Sequence, residues 1–275
     1  LPAGMSASNG LLMLGALVGS YPLAQFFAAS ILGQLSDRLG RRPILIGSLI
    51  GGAVGYGLFA WGIYTHNLPL LFAARILAGV TGGNLPVAQA AIADISKPEH
   101  RAKNFGLMGA AFGLGFIVGP FLGGQLADDR LVSWFNATTP FIFAAGLSLL
   151  NAIFITFVLK ETHAHERSTD SLHWGQSIKH IIKAFNDVRL RYIFLTGFLF
   201  QAGFSFFTTL FGVFLIQRYG FSEADTGQYF AYIGIWIVIT QIFVTPRASK
   251  LWSERSILNV SFFGTAAALL LFLLP

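Results

Sequence analysis

The sequence predicts an all-α, polytopic membrane protein, and three observations carry that prediction. Only 11% of the 275 residues are charged and 54% are hydrophobic, whereas a soluble domain carries about 25% charged residues. The apolar residues gather into eight stretches near 11–33, 43–64, 69–93, 104–127, 138–159, 191–217, 226–246 and 256–275, each close to the roughly 20 residues that a spanning helix needs. Lys and Arg fall almost entirely in every second connection, the distribution that fixes the orientation of a membrane protein.

The first two stretches are joined by Gly33-Gln34-Leu35-Ser36-Asp37-Arg38-Leu39-Gly40-Arg41-Arg42. Gly33 and Gly40 are expected to let one helix end and the next restart within a very short turn, because glycine tolerates positive φ. Pro43 suits the first turn of the second helix, where its missing N–H costs little. Asp37 stands among three arginines and can accept hydrogen bonds from them or from a helix N-terminus. In the second stretch Gly47, Gly51 and Gly55 repeat every fourth residue and read as helix packing.

The third stretch carries Arg75 about seven residues from its outer end, roughly 10 Å deep at about 1.5 Å per residue. A membrane-centre arginine costs about 2.5–3.5 kcal/mol on insertion scales. Snorkelling outward is open to it at this depth. Gly79, Gly82, Pro86 and Ala90 share its face, however, and small residues there indicate packing against protein. Asp94 ends the same stretch. In the fourth, Gly115, Gly119 and Gly123 recur every fourth residue, so a neighbouring backbone is expected to approach there, while Pro120 removes a backbone donor and bends the helix.

The connection 160–190 is too polar to span. Within it Trp174, Ile178, Ile181, Ile182 and Phe185 are expected to form one side of a surface helix over 174–186. Connections 34–42, 94–103, 160–191 and 247–255 hold 15 of the 18 Lys and Arg residues, against Arg130 and Arg218 in the opposite set and Arg75 within a span. The basic set is therefore expected in the cytoplasm, and the net charge of +6 is topological and requires no nucleic-acid partner. Residues 246–258 align without gaps to 33–45, matching Ser249 to Ser36, Arg255 to Arg42 and Ile257-Leu258 to Ile44-Leu45. Two parallel repeats joined by a cytoplasmic linker are a transporter layout. The expected division is a bundle over 1–159, a linker over 160–190 and a second bundle over 191–275. With Leu1 at its start and an apolar run at its end, the chain reads as an internal segment of a longer protein.

Tyr21, Gln25, Asn84, Gln89, Asn151, Gln201 and Gln241 are the polar groups inside spans, with Phe204, Phe207 and Trp236 near the last of them. Aromatics with a few amides suit a cavity for lipophilic, cationic or zwitterionic compounds. An interhelical hydrogen bond is the other role open to each amide. Cysteine is absent, so no thiolate metal site forms, and there is no P-loop. The six histidines lie in loops, and His163-Ala164-His165 is at most a weak metal pair. No enzyme chemistry, cofactor or metal is expected.

Gly33-x-x-x-Asp37-Arg38-x-Gly40-Arg41-Arg42 resembles the loop motif of the major facilitator superfamily. Residues 71–83 (LFAARILAGVTGG) resemble its fourth-helix motif around a membrane arginine, with Ala78 where glutamine is common. Residues 113–124 (GLGFIVGPFLGG) are similar to its fifth-helix motif G-x-x-x-G-P-x-x-G-G, typical of proton-coupled drug antiporters, and FVLKETH (157–163) resembles the tetracycline and multidrug efflux branch. The resemblance covers essentially the whole chain and makes its spans the family's second to ninth.

The resemblance implies a monomeric, multi-pass inner-membrane transporter whose partners are a small-molecule substrate, protons and the bilayer. It gives a gating role to Gly33, Asp37, Arg38, Gly40, Arg41 and Arg42 with Asp94, latching the two halves on the cytoplasmic side. Arg75 would tune a proton-carrying acid in the family's first helix, since all twelve Asp and Glu here lie in loops or at helix ends. Gly115, Gly119, Pro120, Gly123 and Gly124 would seal an antiporter interface. Tyr21, Gln25, Asn84, Gln89, Gln201, Phe204, Phe207, Trp236 and Gln241 would line the substrate path. Asn151 is set aside because the family's sixth helix is peripheral. The implied cargo is a tetracycline-like or other lipophilic drug. The alternatives are a facilitator or proton symporter for a sugar or metabolite, which the fifth-helix motif disfavours, and a non-transporting receptor or scaffold, which the membrane arginine and repeat layout disfavour.

Overall fold

In the computed structural model of the chain, residues 7–162, 182 and 185–271 are described. The regular structure among them is helical: α1 (Ala7–Leu39), α2 (Arg41–Tyr64), α3 (Leu68–Gly82), α4 (Leu85–Ile95), a 3₁₀ turn (Pro98–His100), α5 (Arg101–Ala127), α6 (Thr139–Val158), α7 (Val188–Tyr219), α8 (Glu223–Ile239), a π turn (Thr240–Val244), α9 (Thr245–Leu251) and α10 (Glu254–Leu271). Among the described residues six helical runs are long and apolar enough to cross a membrane: Leu12–Leu39, Arg41–Tyr64, Leu68–Ile95, Pro98–Ala127, Thr139–Val158 and Leu190–Tyr219. The other two expected spans, 226–246 and 256–275, correspond to the continuous run from α8 through the π turn to α9, and to α10. Phe157, Phe206 and Phe263 are among many large apolar side chains left outside, as a lipid-facing surface requires. The expected surface helix over 174–186 and the pair His163 and His165 fall largely or wholly outside the described residues.

The expected loop over 34–42 is not a loop. Helix α1 continues to Leu39 and α2 begins at Arg41, so Gly40 alone separates them, and Gly33 lies within α1. Hydropathy falls where the chain leaves the bilayer, but nothing in Ser36-Asp37-Arg38-Leu39 breaks a helix, and Arg38 in the last turn complements the helix dipole. The third stretch, conversely, is broken. Asn67 caps α3 by accepting a hydrogen bond from Leu70 N at 3.1 Å, and the helix stops at Gly82, four residues before Pro86.

Helix α2 packs against both α3 and α6, and α3 packs against α1. Gly51 faces Thr81, and a Cβ at Gly55 would lie 3.1 Å from Ala78 N, so these two glycines serve the packing expected of them; Gly47 has no such neighbour. Ile44 and Leu45 bury against Val87 and Ala91, and Leu17, Phe59 and Ala74 form a second cluster in which Phe59 meets Phe141 at 4.6 Å.

Helix α5 packs chiefly on α8. Among the described residues the close approach expected at Gly115, Gly119 and Gly123 does not occur, since none of them lies within 4 Å of a Cβ at any of the three. The face α5 presents is Ile117, Pro120, Phe121 and Gly124, and the glycines that admit it belong to α8. A Cβ at Gly227 would lie 2.7 Å from the Pro120 carbonyl oxygen and 3.2 Å from Gly124 Cα, and one at Gly234 would lie 3.0 Å from Ile117 Cα.

Candidate functional site

The charged hairpin is organised around Gly40, whose φ of 102° and ψ of 156° belong to a region essentially closed to residues with a Cβ. Glycine has no side chain with which to cap α2, and Glu161 supplies the cap from beyond α6. Its Oε1 accepts from Arg41 N at 2.9 Å and its Oε2 from Arg42 N at 3.3 Å. A carboxylate at a helix N-terminus satisfies orphan donors and complements the dipole. Arg41 is almost fully buried, at 8% exposure. Its Nη1 pairs with Asp37 Oδ1 at 2.5 Å and its Nε with Asp94 Oδ2 at 3.3 Å. Nη1 also donates to Ser36 Oγ at 2.6 Å. Arg42 Nη2 donates to the Thr156 carbonyl of α6.

One short hairpin therefore ties together the ends of α1, α2, α4 and α6. The Asp37–Arg41–Asp94 triad expected to latch the two halves lies wholly on α1, α2 and α4, so the bonds formed here hold the ends of one packed group. Glu161 was missed as a site residue. It stood in view only as part of FVLKETH, and no periodicity marks a cap that reaches back 120 residues.

Arg75 lies inside the packed group, not at its rim. Its guanidinium sits 4.5 Å from the centroid of the Phe59 ring, and its buried Nε has no hydrogen-bond partner among the described residues. Among the described residues no carboxylate forms an ion pair with it. The small residues on its helix meet α1: a Cβ at Gly79 would lie 2.9 Å from Ala24 Cβ, and Gly82 abuts the Tyr21 hydroxyl. Gln25 Nε2 donates to the Gly82 carbonyl at 2.9 Å, so this amide makes an interhelical bond. Asn84 occupies the N-cap position of α4 without a side-chain cap bond, and Gln89 is exposed on α4.

The remaining candidates lie elsewhere. Gln201, Phe204 and Trp236 are exposed on α7 and α8, the Phe207 ring lies tilted against Phe211 at 4.5 Å, and Gln241 falls in the π turn. Phe204 borders a cleft of about 710 Å³ between α5, α7 and α8, with Gly109, Phe112, Phe116 and Ile237. Helix α1 makes no substantial contact with α7 or α8 among the described residues.

The family model described as Major Facilitator Superfamily matches residues 1–275. The chain belongs to the major facilitator superfamily. Within it, the chain is 36% identical over 241 residues to the class C tetracycline resistance protein of Escherichia coli, covering 88% of this chain and 59% of that protein. It is 36% identical over 261 residues to the class G tetracycline resistance protein of Vibrio anguillarum, covering 92% and 61%. It is 30% identical over 249 residues to multidrug resistance protein 2 of Bacillus subtilis, covering 89% and 60%. Among solved structures it is similar to the human organic anion transporter MFSD10 (TETRAN), with a TM-score of 0.62 and 29% identity over 82% of this chain and 55% of that one. This superfamily chain spans about three-fifths of the length of the curated relatives it matches. It is a multi-pass membrane protein of a transporter family, not an enzyme.

Proposed function

We propose that the protein carrying this chain is a proton-coupled exporter of tetracycline-like or other lipophilic drugs in the inner membrane. It acts as a monomer by alternating access of two bundles, 1–159 and 191–275, joined by the linker 160–190. Its partners are the drug, protons and lipid, with no nucleic acid. Connections 34–42, 94–103, 160–190 and 247–255 face the cytoplasm. Gly33, Asp37, Arg38, Gly40, Arg41 and Arg42 with Asp94 govern the cytoplasmic gate, and the α5 motif Gly115, Gly119, Pro120, Gly123 and Gly124 belongs to the seal between the halves. The likeness to tetracycline and multidrug resistance proteins supports the cargo class.

The observation that carries this reading is Arg75, held against Phe59 with a buried Nε that no described residue bonds. A guanidinium stays charged at any working pH. Beside a carboxylate it lowers that acid's pKa and favours release of the proton. The aromatic ring covers one face of the cation and attracts it, which holds it in place inside a span. The experiment is substrate-induced proton movement in proteoliposomes of the full-length protein. Arg75→Ala should abolish the proton movement while drug binding persists, and Arg75→Lys, which keeps the charge but loses the planar fork, should reduce it. Wild-type proton flux in Arg75→Ala would overturn the reading.

A second reading, uptake or exchange of an organic anion without protons, is favoured by the likeness to the human organic anion transporter and by an arginine with no carboxylate beside it among the described residues. The same proteoliposomes separate the two: solute movement with no proton movement selects the second.

A further inference from the structure

The carbonyl that Gln25 engages is a particular one. In an α-helix the carbonyl of residue 82 bonds the N–H of residue 86, and Pro86 has none. Helix α3 accordingly stops at Gly82 and α4 starts at Leu85, and Gln25 Nε2 reaches the Gly82 carbonyl at 2.9 Å. Helix α1 is pressed against this break along its length. Gly79 meets Tyr21 and Ala24, Gly82 meets the Tyr21 hydroxyl, and a Cβ at Gly83 would lie 2.8 Å from Ala29 N. The contacts advance together along both chains, so α1 runs parallel to α3 and α4. Twelve residues beyond Gln25 stands Asp37, and twelve beyond Gly82 stands Asp94, about 18 Å on at 1.5 Å per residue. There Arg41 joins the two helices again. Arg75 lies about 10 Å before Gly82.

We propose that Gln25 is a positioning residue, not a substrate ligand: its amide replaces the donor that Pro86 lacks and thereby fixes α3, which carries Arg75, relative to α4, which carries Asp94. The two α1 contacts, Gln25 to Gly82 and Asp37 through Arg41 to Asp94, act as two rungs. Removing the upper one lets the membrane arginine and the cytoplasmic hub move independently. The effect on transport rests on the roles proposed above for Arg75 and the hub, whereas the effect on the fold does not.

The test is a double-mutant cycle in the full-length protein with Gln25→Leu, Pro86→Ala and both. Pro86→Ala returns an N–H to position 86, so the Gly82 carbonyl no longer depends on Gln25. In the Pro86 background Gln25→Leu should lower the maximal rate of tetracycline efflux about fivefold, the equivalent of one hydrogen bond, with KM changed less than about twofold and the melting temperature in detergent lowered. In the Pro86→Ala background the same change should alter neither rate nor melting. Equal losses in both backgrounds would overturn the proposal, as would a raised KM with the maximal rate kept, which marks a substrate ligand. If the wild-type protein does not move tetracycline, the drug reading fails by itself. The melting cycle then still decides the bond: coupling between positions 25 and 86 upholds it, and additivity refutes it.

Discussion

Replacing Gly40 by alanine tests the hairpin most directly, because two separable costs are visible there. The backbone at φ 102°, ψ 156° costs a residue with a Cβ about 1–3 kcal/mol. The new Cβ would also strike the Glu161 carboxylate and drive it off Arg41 N and Arg42 N. Glu161 is exposed, so water recovers most of what those bonds supply, and the loss falls to about 1 kcal/mol, the scale of an ordinary helix cap. Gly40→Ala should therefore cost about 2–4 kcal/mol and Glu161→Ala about 1 kcal/mol. The double variant should cost no more than Gly40→Ala alone, since the carboxylate has already left its site. Equilibrium unfolding of the four proteins in mixed micelles measures the cycle. Strictly additive losses, or a Gly40→Ala protein as stable as wild type, would refute the account of Glu161 as the cap of α2.

Asp37→Asn should impair drug efflux while membrane abundance stays near normal, because the half-exposed Asp37 contributes little packing and Arg41 keeps Asp94; efflux rates alongside immunoblots check this. Gly227→Ala should destabilise by about 1–3 kcal/mol, the scale of overpacking, because the obstructing atom is the Pro120 backbone carbonyl, whereas Gly119→Ala, with nothing within 4 Å, should be near neutral in the same unfolding assay. Ser222 holds the Asp225 carboxyl below its ordinary value of 3.8 through side-chain and backbone hydrogen bonds, so the capping box at the start of α8 stabilises the helix at neutral pH and fails only as pH falls through the folded-state value. Protection of the first-turn amides of α8, taken relative to their intrinsic exchange rates, should fall in that acid range and not above it, and Asp225→Asn should remove the dependence.

The helical class, the spans and the place of Arg75 inside one of them were legible because each is a property of local composition. Helix ends were not: the charges of 34–42 mark where the chain meets water, while α1 runs on to Leu39. Glycine spacing showed which positions are small but not which way a helix turns. Gly51 and Gly55 face their neighbours as expected, yet α5 presents Ile117 and Pro120 to α8 and leaves Gly115, Gly119 and Gly123 without a close neighbour. Gln25 stood out as an amide inside a span, but its partner is a backbone carbonyl freed by a proline 61 residues later. Phe59 and Arg75 gave no joint signal, because they meet only when α2 and α3 fold back on each other.

The hub at Gly40 also imposes an order of assembly on the growing chain. Asp37 and Arg41 leave the ribosome together and can pair at once. Asp94 follows Arg41 by 53 residues, and Glu161 follows it by 120. At about 5–20 residues per second, the N-terminus of α2 waits roughly 6–24 s for its carboxylate. During that interval α2 has been threaded into the bilayer with its first amides served by water alone. The arrival of Glu161, at the exit of α6, is thus the event that closes the Gly40 end of these helices, and it comes before any of α7 to α10 has been made.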